Sequence, residues 1–218
     1  MARRVAVISD VHGNLPALEA VLVEIEGLDV DLVVFAGDVG FGPMPAECLE
    51  RLRALEDIQL VRGNADRAEG LLDEGKPSIT LEVDGLGRVL VCHATPRSDE
   101  ETVTYLTPEE EVAATLAGVE AEVVVCGHTH TQYDRHVGRI RMVCAGSVGM
   151  PYEREPGAYW LVLGPGVEHR RTEYDRQAAA ERIRQSGWER AEEFAAENVL
   201  NVPDPDETQR HFESQRHQ

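Results

Sequence analysis

The chain has 218 residues, of which 42% are hydrophobic and 28% are charged, and its formal net charge at pH 7 is −19. This length allows one large α/β domain or two small ones with a sizeable core, and the composition is ordinary for a soluble globular protein. The negative charge makes a nucleic-acid polymer a poor partner, although a local cationic site is compatible with a small phosphate compound.

The amino-terminal segment has too few apolar residues for a signal peptide or a membrane span. Val5 to Ile8 form an apolar run of four residues before Ser9 and Asp10, whereas a span needs about 20. No longer apolar stretch follows, so we expect a cytoplasmic protein with no membrane partner.

The four cysteines form no Cys-x-x-Cys pair, which favours reduced core thiols over disulfides.

Short runs rich in valine, isoleucine and leucine recur along the chain and predict buried β-strands. They lie at Val5–Ile8, Leu32–Ala36, Ile58–Val61, Val89–Cys92 and Val123–Cys126. Helical patterns separate several of these runs, as in βαβ units.

Three helices are predicted in the first part of the chain. One helical face begins at Leu15, with Asn14 in position for the N-cap, and a second helix begins at Pro45. A capping box over Thr107–Glu110 opens a third helix, which runs to about Ala117.

The second half of the chain is richer in hairpins. Turn-rich spacers join 79–83 with 88–92, 132–137 with 139–143, and 158–163 with 167–174. A mixture of βαβ units and hairpins favours more than one sheet, with helices outside.

The sequence changes in character at Arg176. An alanine-rich helical pattern over 177–185 ends before Gly187, a second short helix is predicted over 189–197, and the last dozen residues are polar. We therefore predict a main domain over 1–175. Residues 176–218 form a C-terminal helical extension with a polar tail that is either disordered or used in docking.

Side chains typical of metal ligands follow each of the five strand-like runs. In chain order they are Asp10, His12, Asp38, Asn64, His93, His128 and His130. If these strands share one sheet and one direction, the side chains meet at its carboxyl edge, where sites form. Each motif alone has an ordinary structural explanation. The pair His128 and His130 is the strongest, because packing does not readily explain two histidines two residues apart.

Together these residues resemble the signature of the calcineurin-like metallophosphoesterases. More narrowly, the segments 9–16 and 145–149 are similar to a small prokaryotic phosphodiesterase branch of that superfamily. The resemblance covers roughly residues 3–175. It implies an α/β fold in which a two-sheet β-sandwich is flanked by helices, with four layers in the order αββα.

The resemblance also implies two divalent metal ions. In the family pattern Asp10, His12, Asp38 and His130 hold the first ion, and Asp38, Asn64, His93 and His128 hold the second. Imidazole, carboxylate and amide ligands suit manganese, iron, cobalt, nickel or zinc, and we favour manganese. Such a pair of ions activates a bridging water and clamps phosphate oxygens. The expected nucleophile is therefore a metal-bridging hydroxide, and no side chain is assigned as catalytic.

Arg62 and Asn14 are the candidate contacts to the substrate phosphate. Protein phosphatases of the wider family have a phosphate-binding arginine at the position of Arg62, and a solvated strand-end arginine is the alternative. Asn14 either reaches the phosphate or caps its helix, and capping is the stronger interpretation.

Ala65 stands where many relatives have a histidine proposed to protonate the leaving oxygen. Poor leaving groups should therefore react slowly, unless His136 or an ordered water supplies the proton.

The sequence thus predicts a metal-dependent phosphoric ester hydrolase, acting as a phosphodiesterase on a small or activated phosphoester. One alternative is an interaction module that keeps the fold without the chemistry, but all seven ligand positions hold competent residues. A dinucleoside polyphosphate or phosphoprotein phosphatase ranks lower, because Val39-Gly40 replaces the Asp-Arg expected after Asp38. A homo-oligomer is compatible with the sequence.

Overall fold

The computed structural model describes residues 1–216, which form ten strands and seven α-helices. The strands are β1 (Val5–Ile8), β2 (Leu32–Phe35), β3 (Ile58–Leu60), β4 (Ser78–Val83), β5 (Gly87–Cys92), β6 (Val123–Cys126), β7 (Tyr133–Val137), β8 (Ile140–Cys144), β9 (Ala158–Leu163) and β10 (Val167–Thr172). The helices are α1 (Leu15–Glu26), α2 (Pro45–Arg53), α3 (Asn64–Glu69), α4 (Glu109–Thr115), α5 (Arg176–Arg184), α6 (Ala191–Phe194) and α7 (Pro205–Gln215).

The strands form two five-stranded mixed sheets. The first has the order β10-β9-β1-β2-β3 and the second the order β4-β5-β6-β8-β7. Strands β1, β2 and β3 are parallel, and β6 is parallel to both β5 and β8. The five ligand-bearing strands therefore do not share one sheet. Their carboxyl ends meet because the two sheets face each other.

Alternate residues of the central strands enter different apolar layers, and this explains their continuous hydrophobic runs. In β1, Val5 and Val7 lie between the two sheets, whereas Ala6 and Ile8 pack under the helices of the first sheet. The layer between the first sheet and its helices includes Leu18 of α1, Leu52 of α2 and Ile183 of α5. Helix α4 covers the second sheet through Val112. The order of layers is therefore αββα, as predicted.

The two predicted side-chain caps of helices behave differently. The Asn14 side chain accepts the Ala17 N–H at 3.3 Å and caps α1, as predicted. The capping box at Thr107 does not form, since α4 begins at Glu109 without a side-chain cap. Instead, the Thr107 hydroxyl donates to Glu213 of α7, a partner distant in sequence.

The C-terminal extension is more ordered than its composition suggests. Helix α5 packs against α1, and α6 continues into a π-helical turn over Ala195–Leu200. Helix α7, with Asp204 as its N-cap, includes most of the last dozen residues, which we expect from the sequence to be a polar tail. The last two residues of that tail lie outside the described residues. The domain boundary after residue 175 stays a prediction.

Two further expectations concern the cysteines and the membrane. All four cysteines are buried and free, as predicted. Within residues 1–216, none of the helices combines the length and apolar character that crossing a membrane requires.

Candidate metal centre

The seven predicted ligand residues converge where the loops after β1, β2, β3, β5 and β6 meet. Two overlapping groups, Asp10 with His12 and His130, and Asp10 with Asp38 and His93, place their donor atoms within 4.8 Å of one another. Both groups are buried, and their geometry could hold metal ions.

The other two residues lie beside these groups. Asn64 Oδ1 is 3.0 Å from His93 Nε2, and the His128 ring is 5.2 Å from the His93 ring. Asp38 Oδ2 is 3.3 Å from His93 Nε2 and 4.0 Å from His12 Nε2. Asp38 therefore lies between the two halves of the cluster, one with His12 and the other with His93. Its metal-bridging role stays a prediction.

Five of the seven residues have the left-handed backbone conformation that favours glycine. They are Asp10, His12, Asp38, His128 and His130, with φ of 54°, 44°, 64°, 68° and 58°. Such strain persists only where surrounding contacts enforce it, and it clusters at functional sites. At Asp10 the carbonyl accepts from the Ser147 hydroxyl at 2.7 Å and from the Gly149 N–H at 2.9 Å. These bonds give a structural role to the 145–149 motif.

Three histidines are oriented by a hydrogen bond between Nδ1 and a backbone carbonyl. The pairs are His12 with Gly40, His93 with Ala36 and His130 with Met150, at 2.8, 2.9 and 2.8 Å. A carbonyl oxygen only accepts, so Nδ1 carries the proton and the neutral ring presents an Nε2 lone pair to the cluster. Metal-ligating histidines are typically oriented in this way.

The rings of His12 and His130 provide a direct test of whether a cation fits. Their Nε2 atoms are 3.1 Å apart, yet both Nδ1 atoms already donate to carbonyls. In the neutral rings two lone pairs would therefore face each other. A proton or a metal ion between them removes that repulsion, and Asp10 Oδ1, 3.2 Å from His130 Nε2, adds a negative charge. The donor set fits a cation.

The charges of the cluster are strongly coupled. Burial disfavours ionisation of Asp38, but His93 and the other histidines outweigh it and lower the pKa of the carboxyl. Burial likewise opposes the charged form of His93, yet Asp38 and Asp10 raise its pKa to about 10. Burial and His93 together lower the pKa of His128 to about 4. The ionised carboxylates and the neutral His128 are already in the protonation state that metal binding requires, whereas His93 has to release its proton to bind a metal ion.

Two glycines allow the ligand loops to approach closely. A Cβ atom at Gly63 would lie 2.1 Å from Asp38 Oδ1, and one at Gly127 would lie 2.3 Å from Asp10 Oδ2. Any side chain at either position would displace a carboxylate of the cluster. This explains why glycine precedes Asn64 and His128.

Asp66 supports the loops of the candidate ligands and was not predicted from the sequence. Its buried carboxylate accepts the backbone N–H groups of Asp38, Val39, Gly40 and Gly63 at 2.8–3.1 Å. Burial raises the pKa of this carboxyl, and the bond from Gly63 opposes the shift. The available signal was an acidic residue three positions after Gly63, the pattern of a capping box.

Tyr152 and Gln209 also support the ligands and were missed. The Tyr152 ring stacks on His130 with centroids 4.7 Å apart, and its N–H donates to the His130 carbonyl. Gln209 of α7 is fully buried and donates to the Thr129 carbonyl at 3.0 Å. Helix α7 therefore supports the loop that carries His128 and His130. No local sequence pattern indicates these long-range contacts.

The two candidate phosphate contacts differ in their surroundings. Asn14 is fully buried and donates to the Gly149 carbonyl at 3.0 Å while capping α1. These contacts agree with the capping interpretation. Arg62 is half-buried, its N–H donates to the Lys76 carbonyl, and its guanidinium forms no hydrogen bond or ion pair within residues 1–216. Its phosphate role stays a prediction.

Known proteins resemble this chain in sequence and in fold. Residues 4–163 match the calcineurin-like phosphoesterase superfamily domain. A probable metallophosphoesterase of Methanothermobacter thermautotrophicus is 29% identical over 72% of this chain and 84% of that protein.

Two solved structures are also similar. A metallophosphoesterase from Sphaerobacter thermophilus has a TM-score of 0.69 at 25% identity, over 91% of this chain and all of that one. The phosphoesterase Yfce from E. coli has a TM-score of 0.54 at 27% identity, over 73% of this chain and 87% of that one.

Proposed function

This chain belongs to the calcineurin-like phosphoesterase superfamily, and on that premise we propose that it is a phosphodiesterase that hydrolyses a small or activated phosphoester with two divalent metal ions. Membership supports a hydrolase with divalent metal ions. The observation that carries the proposal is the 3.1 Å approach of two Nε2 atoms, on His12 and His130, beside a buried carboxylate. That arrangement is unfavourable for neutral rings and suits a bound cation.

We propose that the site holds two metal ions rather than one. The first would be held by Asp10, His12, Asp38 and His130, and the second by Asp38, Asn64, His93 and His128. Seven donors exceed the needs of one ion, and nitrogen with oxygen ligands and no thiolate suits the metals from manganese to zinc. We propose manganese. When bound, such ions supply Lewis acidity that activates water and stabilises charge on the phosphoryl oxygens.

The protein's own residues orient and charge the site. Asp66 holds the loop of Asp38 against the loop of Asn64, and Tyr152 and α7 fix the position of His130. Among the described residues the guanidinium of Arg62 forms no hydrogen bond or ion pair, and we propose that it contacts a phosphate oxygen. These contacts hold the ligands in place before substrate binds, which limits the reorganisation needed during the reaction.

The proposal is tested by metal analysis and an ester screen on the full-length protein. We expect two equivalents of divalent metal after reconstitution with Mn²⁺, a higher melting temperature than the chelator-treated protein, and hydrolysis of bis(4-nitrophenyl) phosphate faster than of 4-nitrophenyl phosphate. The double variant His128→Ala/His130→Ala should stay folded and lose both metal and turnover.

Two results would contradict the proposal. Metal-loaded protein that hydrolyses no phosphoester would indicate the interaction module instead. Wild-type turnover in the double variant would refute the site assignment.

A further inference from the structure

Phe41 is unusual in both its exposure and its backbone. The side chain is 47% exposed, and its φ of 60° is a strained conformation for a bulky residue. Its N–H donates to Glu69 at 3.1 Å, which helps to hold this conformation. The ring lies 6.4 Å from the ring of His12, nearly perpendicular to it. A strained backbone therefore places an exposed aromatic ring next to the candidate metal centre.

Two residues of the C-terminal extension pack against this ring. Trp188 meets Phe41 edge to face, with centroids 6.5 Å apart. The Arg190 guanidinium lies over the Phe41 ring, 5.5 Å from its centroid. The Phe194 ring packs against Trp188, with ring centroids 5.9 Å apart. We name Phe41, Trp188 and Arg190 the aromatic rim; its last two members lie beyond the superfamily domain over 4–163.

The position of the aromatic rim links it to the metal centre. Its cleft is also lined by Met150, whose carbonyl accepts from His130. The cleft between the rings has a volume of only about 30 Å³, the share of one water molecule. A ligand ring therefore cannot enter between Phe41 and Trp188, and the open surface of Phe41 is the available contact.

We propose that the aromatic rim binds a flat aromatic group, an aryl or nucleobase ring, attached to the phosphoester whose phosphate lies at the metal centre. This inference rests on the proposed function, because the metal centre places the phosphate. The exposed part of Phe41 offers a stacking surface, while the contacts of Arg190 and Trp188 with Phe41 hold its ring in place. Aromatic stacking adds roughly 0.5–1.5 kcal/mol beyond buried area, equivalent to about 2- to 12-fold in affinity.

Binding is measured first, with ligands that cannot be hydrolysed. Phenylphosphonate and methylphosphonate share the charged head group and differ in the ring, and calorimetry on Mn²⁺-loaded protein compares them. We expect phenylphosphonate to bind about 2- to 12-fold more tightly. The preference should disappear in Phe41→Leu and weaken in Trp188→Leu. Val23→Ala, which alters an exposed apolar side chain on α1, should keep it.

Kinetics then distinguish an aryl from a nucleobase ligand. Phenyl, thymidine 5′- and methyl esters of 4-nitrophenyl phosphate have the same leaving group, so differences between them report on the other substituent. The preferred aromatic ester should show a lower KM than the methyl ester. Phe41→Leu should raise that KM with little change in kcat, the signature of lost uniform binding.

Failure of this inference is distinguishable from failure of the proposed function. Equal binding of the two phosphonates, or a ring preference that survives Phe41→Leu, would overturn the aromatic rim as a binding site while ester hydrolysis continues. If neither phosphonate binds and no ester is hydrolysed, the proposed function fails and the inference fails with it. Melting curves of the Phe41→Leu and Trp188→Leu variants show whether each remains folded.

Discussion

The Asp66 carboxylate accepts the backbone N–H of Asp38 at 2.9 Å and, with the same oxygen, the N–H of Gly63 at 3.0 Å. One buried side chain thus joins the loop after β2 to the loop after β3. Both loops carry candidate metal ligands, so the distance between Asp38 and Asn64 depends on a residue that touches no metal itself.

Asp66→Asn should therefore weaken both the fold and metal binding. The asparagine amide turns one acceptor into a donor that faces backbone N–H groups, and losing hydrogen bonds to a buried charged group costs at least about 2 kcal/mol. Urea unfolding measures the stability, and Mn²⁺ titration followed by melting temperature measures the affinity. The control is Asp73→Asn at an exposed position. Unchanged Mn²⁺ affinity in Asp66→Asn would show that the loops keep their positions without it.

The candidate ligands could be predicted because each follows a short apolar strand. Strand ends are local features, and Gly-Asp, Gly-Asn and Gly-His-x-His place side chains there whichever sheet receives the strand. The sequence did not show that β1 and β6 belong to different sheets, since an apolar run looks the same in either sheet. The joint site forms because the sheets pack face to face.

The supporting contacts could not be predicted for a different reason. Gln209 and Thr129 are 80 residues apart, and neither belongs to a local motif. Helix α7 was not predicted because its composition is polar, although Asp204 before Pro205 is an ordinary helix start. Phe41 and Trp188 similarly meet across separate parts of the chain. Tertiary packing gives these residues their roles.

Asp38 and Asn64 should differ in their importance. Asp38 supplies a negative charge between the two halves of the cluster, whereas Asn64 contributes a neutral oxygen 3.0 Å from His93. Asp38→Asn should reduce bound metal from two equivalents to one or none and lower kcat/KM by more than about 10²-fold, whereas Asn64→Ala should lower it less. Elemental analysis and steady-state kinetics test this order. An equal or larger loss in Asn64→Ala would count against Asp38 as the bridging ligand.

Glu153 should make the stability depend on pH. Burial raises the pKa of its carboxyl from the usual 4.5 to about 7, against a hydrogen bond from the Gln132 N–H. Between these values the unfolded chain has released a proton that the folded protein still holds. The stabilising contribution is therefore complete below pH 4.5 and is lost as the pH rises through 7.

Glu153→Gln removes this titration and keeps an acceptor for Gln132. Relative to this variant, the native protein should lose up to roughly 3 kcal/mol of stability as the pH rises from 4.5 to 7. Urea unfolding at several pH values measures the difference, and the exposed Glu155→Gln variant is the control. Parallel pH profiles for the native protein and Glu153→Gln would contradict the raised pKa.

Ala65 should make the reaction rate depend on the pKa of the leaving group. Its N–H donates to Asp38 Oδ1 at 2.9 Å, so a side chain at position 65 starts next to the cluster, yet alanine has no proton to give. His136, the competing proton donor, is exposed on β7 and pairs in the sheet with Arg141, and neither candidate metal group includes it. The native rate should therefore fall steeply as the pKa of the leaving phenol rises.

Ala65→His should accelerate mainly the esters with poor leaving groups, by up to about 10²-fold, because a positioned acid acts on the leaving oxygen. A series of substituted phenyl phosphodiesters, compared between the native protein and Ala65→His, gives the two slopes. Ala65→Gln, which adds a polar side chain without a titrating proton, is the matched control and should keep the steep native slope. A shallow slope in the native protein would mean that an ordered water or another group already protonates the leaving oxygen, and Ala65→His would then bring no gain.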